Sequence, residues 1–221
     1  MTKEERLEKQ KKKLLTMRAF DDEYRRAYGM VGGIDEVGRG PLCGPVVACC
    51  VVFDNSVDIL GIDDSKKLSK KHREELYDLI LDKALAVGIG QKDNKVIDEI
   101  NILEATKLAM KESIEKAEKM LEKRDLGSLD HVLIDAVTLS GISQSQTGIV
   151  KGDTKSLSIA AASIVAKVTR DRMMEAYAEQ YPGYGLESNM GYGTAKHYEG
   201  LRQYGITPIH RLSFLKSFID K

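Results

Sequence analysis

The run Pro45–Phe53, PVVACCVVF, constrains the fold more than any other stretch of this 221-residue chain. It is apolar throughout, without alternation, and rich in β-branched and small side chains. Such a run suits a buried strand, which needs a covering layer on each face of its sheet. Gly40-Pro41 and Cys43-Gly44-Pro45 mark a turn before it, so it pairs as a hairpin with Val31–Asp35. Leu85–Gly90 reads as a third strand, His131–Val137 as a fourth and Thr147–Lys151 as a fifth. Ser69 is placed to cap a helix running to about Ala84. From about Lys95 to Glu122, Ile97, Ile100, Leu103, Leu108, Met110 and Ile114 recur at helical spacing, as one long helix or two joined. Ser158 to about Gln180 is helical, and its opening SIAAASIVAK is small enough to imply tight packing. Three early strands followed by strand–helix alternation indicate an α/β fold with a mixed five-stranded sheet flanked by helices.

Outside that core, the chain changes character twice. Residues 1–29 read as a charged helical extension with only a loose apolar stripe (Leu7, Leu14, Leu15, Met17, Phe20), a solvated leader packed on the surface. Residues 30–180 form the core. Residues 181–221, rich in Gly, Tyr, His and basic groups, read as a small, partly helical C-terminal appendage. The 34 basic and 34 acidic side chains cancel, so net charge does not announce a nucleic-acid binder, although a local basic stripe would vanish in that sum. No apolar run approaches the roughly 20 residues needed to span a bilayer, and no secretory signal is visible. Cys43, Cys49 and Cys50 cluster in apolar sequence, as buried free thiols of a reducing cytoplasm do. A monomer without membrane attachment, in the cytoplasm, is expected.

The chemistry lies in the acids. Asp35-Glu36, Asp135 and Asp153 each end, lie within or follow a predicted strand, and an acid within Val132-Leu133-Ile134-Asp135 is costly unless paired or bound to metal. If the strands are neighbours, four carboxylates converge and repel one another until cations bind. Oxygen donors of this kind suit Mg²⁺ or Mn²⁺. Two such ions about 3.5–4 Å apart are the usual clamp for displacement at phosphorus. The glycines of Gly38-Arg39-Gly40 let the backbone approach a ligand closely beside that site. Gly148–Ser156 lacks the consecutive Gly-Lys-[Ser/Thr] of a triphosphate-binding loop, and Asp153 would repel phosphate. No spacing among His72, His131, His197 and His210 marks a ligand set.

GIDEVGRGPLCGPVV, DSKKLS, LIDAV, KGDTKSLSIAAASIVAKVTRDR, GYGT and the late His210-Arg211-Leu212-Ser213-Phe214 occur in one order from about Gly32 to Phe214. With these blocks the chain resembles the ribonuclease HII family, the type 2 branch of the ribonuclease H enzymes. The resemblance implies an RNase H-like fold with a helical C-terminal appendage. It implies an endonuclease that hydrolyses the RNA strand of an RNA–DNA hybrid and cuts on the 5′ side of ribonucleotides embedded in duplex DNA. The products would carry 3′-hydroxyl and 5′-phosphate ends, as ribonucleotide and RNA-primer removal require. The metal-binding acids carry over to Asp35, Glu36, Asp135 and Asp153, with two Mg²⁺ or Mn²⁺ ions. The junction-sensing loop carries over to Gly38, Arg39 and Gly40, and the sugar-stacking tyrosine to Tyr192. Lys66, Lys67, Lys167, Arg170, Lys196 and Arg211 are candidate phosphate contacts, though Lys167 and Arg170 could instead pair with Asp171. The leader is too short for the extra N-terminal domain of ribonuclease HIII.

Overall fold

A computed structural model describes residues 2–219. In chain order it contains α1 (Lys3–Tyr28), β1 (Val31–Val37), β2 (Val46–Val52), α2 (Lys70–Lys83), β3 (Ala86–Lys92), α3 (Asn94–Lys123), β4 (His131–Asp135), β5 (Ser145–Ile149), α4 (Leu157–Gln180), α5 (Leu186–Asn189), α6 (Ala195–Tyr204) and α7 (Lys216–Ile219). The five strands form one mixed sheet in the order β3-β2-β1-β4-β5. The β1–β2 and β2–β3 pairs are antiparallel, and β1–β4 and β4–β5 are parallel.

Every residue of β2 is buried, as the continuous apolar run requires. Val47, Cys49 and Val51 face a core shared with α1, α2 and α4, whereas Val46, Ala48, Cys50 and Val52 face one built on α3. On β1 a Cβ at Gly33 would come within 2.3 Å of the Ile159 nitrogen. Only glycine lets α4 rest this closely on the strand that carries Asp35. A third apolar cluster, including Leu42, Met174, Tyr184, Leu186 and Leu201, seats the C-terminal segment against α4 and the β1–β2 connection. Among the described residues no helix is long and apolar enough to cross a membrane.

Two strands end earlier than the apolar pattern predicts, for one reason. Ala136 (φ 53°) and Lys151 (φ 55°) adopt left-handed backbone, which breaks a ladder and is uncommon outside glycine. β4 therefore stops at Asp135, not Val137, and β5 stops at Ile149. The helix after β3 is two segments joined at Asn101 (φ 69°). The Asn101 side chain accepts from the N–H groups of Leu103 and Glu104 and so caps the second segment.

α1 is more than a solvated leader. It buries Leu14, Met17 and Asp21. Asp21 Oδ2 accepts from the Ser158 N–H (2.9 Å) and hydroxyl (2.7 Å) in the first turn of α4. Ser156, the N-cap of α4, accepts from the Ile159 N–H, so the two side chains share the open donors of that helix end. Asp21→Ala is expected to lower the unfolding free energy by about 1–3 kcal/mol, because buried donors lose their acceptor. Urea unfolding measures this, and an unchanged midpoint would remove α1 from the elements that hold α4 in place.

Candidate active site

The register builds the acid cluster. Ile34 pairs with Ile134 across the parallel β1–β4 ladder, so the next position sets Asp35 beside Asp135. Asp135 is opposite Ile149 at the end of β5. Just beyond, a single 3₁₀ turn over Gly152–Thr154 carries Asp153. The Gly152 N–H donates to Asp135 Oδ1 at 2.9 Å, joining the Asp135 and Asp153 segments. Asp35 Oδ1 accepts from the Glu36 N–H at 2.7 Å. Non-glycine left-handed residues thus follow Asp135 and precede Asp153, and they turn the chain sharply at the site.

The cluster is electrostatically uncomfortable. Burial, then the charge of Glu36, push the Asp35 carboxyl up to about 8, and Asp135 adds to the rise. The Ser163 hydroxyl and the Glu36 N–H favour the ionised form and offset only part of it. Glu36 is raised by burial and by Asp135, against the opposing charge of Arg39, whose Nη1 lies 3.5 Å from Oε1. Asp153 is raised by burial, then by Asp64 and Asp135, while Lys66 and Lys67 pull it down. Asp35, Glu36 and Asp153 are therefore each raised in part by the charge of Asp135, as carboxylates sharing a site are.

Two contributors escaped the sequence reading. Ser163 approaches from α4 and also bonds the Ser65 hydroxyl at 3.0 Å. Asp64 adds a fifth carboxylate beside Asp153. The only sequence signals were the small-residue opening of α4 and the acid that begins DSKKLS.

The loop after β1 meets the C-terminal segment. Gly38 has φ 91°, and a Cβ there would come within 2.2 Å of Arg170 Nε. Arg39 and Gly40 are exposed, and a Cβ at Gly40 would lie 3.4 Å from Tyr192 Cε1. Tyr192 keeps 47% of its surface exposed. The Leu42 N–H donates to the Gly191 carbonyl at 2.8 Å, tying this loop to the tyrosine turn.

The basic residues divide. Lys66 and Lys67 are exposed beside Asp153, and Lys67 Nζ is 3.6 Å from Asp64. Lys196 is exposed, with Nζ 3.1 Å from Glu187. Lys167 is mostly buried and donates to Asp171 at 2.7 Å. Arg170 and Arg211 correct the expectation of phosphate contact, because both are fully buried. Arg170 donates to the carbonyls of Pro45, Met190 and Cys43. Arg211 donates to those of Gly38, Arg39 and Gly44. A guanidinium so enclosed has no face left for a phosphate.

Cys43 Sγ and a ring nitrogen each from His197 and His210 lie within 4.8 Å of one another. The protons decide what this buried trio is. The Thr207 backbone N–H can only donate, so His210 Nδ1 accepts (3.0 Å) and its Nε2 carries the hydrogen. The Tyr192 carbonyl can only accept, so His197 Nδ1 donates (3.0 Å) and its Nε2 is free to accept from His210 Nε2 at 3.0 Å. Burial holds both imidazoles neutral, His210 down to about 4, and pushes the Cys43 thiol up to about 12. The result is a one-way hydrogen-bonded chain from Thr207 to the Tyr192 turn, with a proton where a metal would sit.

Comparison with known proteins follows the same lines. The family model described as Ribonuclease HII matches residues 32–217. A Ribonuclease HII of Clostridioides difficile (strain 630) is 52% identical over 214 residues, covering 96% of this chain and 81% of that protein. Among solved structures, the ribonuclease H2 of Pyrococcus horikoshii OT3 aligns with TM-score 0.64 at 29% identity, over 87% of this chain and all of that one. Bst-RNase HIII in complex with Mn²⁺ aligns with TM-score 0.68 at 20% identity, over 86% of this chain and 69% of that one, and shares the fold.

Proposed function

Since the chain belongs to the ribonuclease HII family, and is thus a ribonuclease H, we propose that it cuts duplex DNA on the 5′ side of embedded ribonucleotides as well as RNA in RNA–DNA hybrids. The products carry 3′-hydroxyl and 5′-phosphate ends, and the activity serves ribonucleotide and primer removal. The observation that carries this reading is the meeting of Asp35, Glu36, Asp135 and Asp153 beside the Gly38–Gly40 loop and Tyr192. The donor set is all carboxylate, and burial with mutual repulsion raises Asp35, Glu36 and Asp153, which fits hard divalent cations such as Mg²⁺ or Mn²⁺. Two such ions held there would supply an activated water and stabilise the leaving oxygen.

The remaining work belongs to the chain. Asp35, Glu36, Asp135 and Asp153 would hold the ions, and the Glu36 and Gly152 N–H groups orient Asp35 and Asp135. Lys66, Lys67 and Lys196 offer ammonium groups to the phosphates on either side of the cut. The loop reads the 2′-hydroxyl, the group that separates RNA from DNA at a single position. The Tyr192 ring stacks on the deoxyribose that follows.

A labelled duplex holding one ribonucleotide, incubated with and without Mg²⁺ or Mn²⁺ and with its product ends mapped, tests the proposal. A metal-dependent cut 5′ to the ribonucleotide is expected, and no such cut overturns it. Tyr192→Ala is expected to lower kcat/KM on this substrate by about tenfold or more, the value of one aromatic stacking contact. Unchanged cleavage would reject the stacking role.

A further inference from the structure

Arg170 and Arg211 are buried cations with no carboxylate partner among the described residues. A buried charge is costly unless fully hydrogen-bonded, and these two spend their donors on main-chain carbonyls of the Gly38–Pro45 loop and of Met190. Burial and the neighbouring Arg170 bring Arg211 down to about 9, so it remains a cation at neutral pH. Apolar residues could fill the same volume, so the cations have a use beyond filling space.

That use follows from peptide geometry. Among the described residues every peptide bond is trans, so a carbonyl and the following N–H point in opposite directions. Arg211 Nη2 binds the Gly38 oxygen at 2.6 Å and Nη1 binds the Arg39 oxygen at 3.0 Å. The N–H groups of Arg39 and Gly40 therefore point away from the buried guanidinium, and no acceptor engages either among the described residues. Both residues are exposed, next to the Tyr192 ring. Two adjacent outward N–H groups suit the lone pairs of a hydroxyl, and a deoxyribose offers none. Arg170 fixes the same loop to the tyrosine turn through Cys43, Pro45 and Met190. A lysine could not replace this planar fork, because one ammonium cannot reach three carbonyls in a plane.

We propose that Arg211, seconded by Arg170, is a specificity-determining positioning residue, which turns the Arg39 and Gly40 N–H groups toward the 2′-hydroxyl; this rests on the reading above that the loop senses that group. The test is the binding preference of the full chain, without divalent metal, for a duplex with one ribonucleotide over the same all-DNA duplex. Arg211→Lys is expected to shrink that preference about tenfold, the order of one hydrogen bond to a desolvated group, with all-DNA affinity unchanged. A cooperatively melting Arg211→Lys variant that keeps the full preference overturns the inference. If that variant does not fold, backbone amide NMR of the natural chain decides. Arg39 and Gly40 resonances should shift with the ribonucleotide duplex and not with DNA, and equal responses overturn the inference. A natural chain without any preference overturns the loop reading itself, which separates the two failures.

Discussion

Asp35→Asn is expected to lower kcat by about 10³-fold or more, because it removes one carboxylate from the cation site on which the proposed chemistry depends. The fold should survive. Asn retains the oxygen that accepts the Glu36 N–H, and it resembles the protonated carboxyl that the metal-free chain already holds at neutral pH. Asp135→Asn is expected to act likewise, keeping the acceptor for the Gly152 N–H. Single-turnover cleavage with Mg²⁺ or Mn²⁺, beside melting of each variant, separates loss of chemistry from loss of fold. Full activity in both variants would remove these acids from the proposed metal site.

The second large effect is a fall in stability with rising pH that disappears on adding metal. Asp35 titrates near 8 in the folded metal-free chain and near its ordinary 3.8 when unfolded. Between those values the folded chain holds a proton that the unfolded chain has released, so stability falls as pH rises. Below about 6.5 the trend is opposed. His131, His197 and His210 are held neutral by burial and titrate below their ordinary value of 6.5, so stability there rises with pH. Above pH 6.5 the unfolded histidines release their remaining protons, which offsets part of the fall, and Asp35 dominates only above about pH 7. The melting temperature in EDTA is expected to drop by about 2 °C from pH 7 to 8. Saturating Mn²⁺ should abolish the drop, since bound cations favour the ionised carboxylates, and Asp35→Asn should flatten it without metal. A flat profile for the natural metal-free chain would show that the acids do not share one buried site.

Much of the fold was legible because it rests on patterns of known period. The unbroken apolar β2, the Ser69 cap and the helical spacing after Lys95 each specify local structure through burial or a single hydrogen bond. Strand ends were less legible, since Ala136 and Lys151 carry no residue-type signal for left-handed backbone. Asn101 was similarly silent until its side chain was seen capping the second half of α3. The acids were legible as a set, because a charged group at the end of a buried strand is anomalous on composition alone. The arginines were not. Arg170 and Arg211 look in sequence like any surface cation in a basic segment, and only the packing of α4 and the C-terminal segment against the β1–β2 connection encloses them.

The sequence by itself determined that this chain builds a doubly covered mixed sheet and carries acids on three of its strand segments, and the strand register then brings those acids together. Hydrophobic period and the cost of burying charge act locally enough to be read along the chain. Only the tertiary structure decided that α1 caps α4 through Asp21, that His197 and His210 close on a proton, and that two buried guanidiniums hold the Gly38–Pro45 loop. The first and last of these depend on partners distant along the chain (137 residues for Asp21 and Ser158, 173 for Gly38 and Arg211), and donor–acceptor geometry across such separations exists only once the chain is folded.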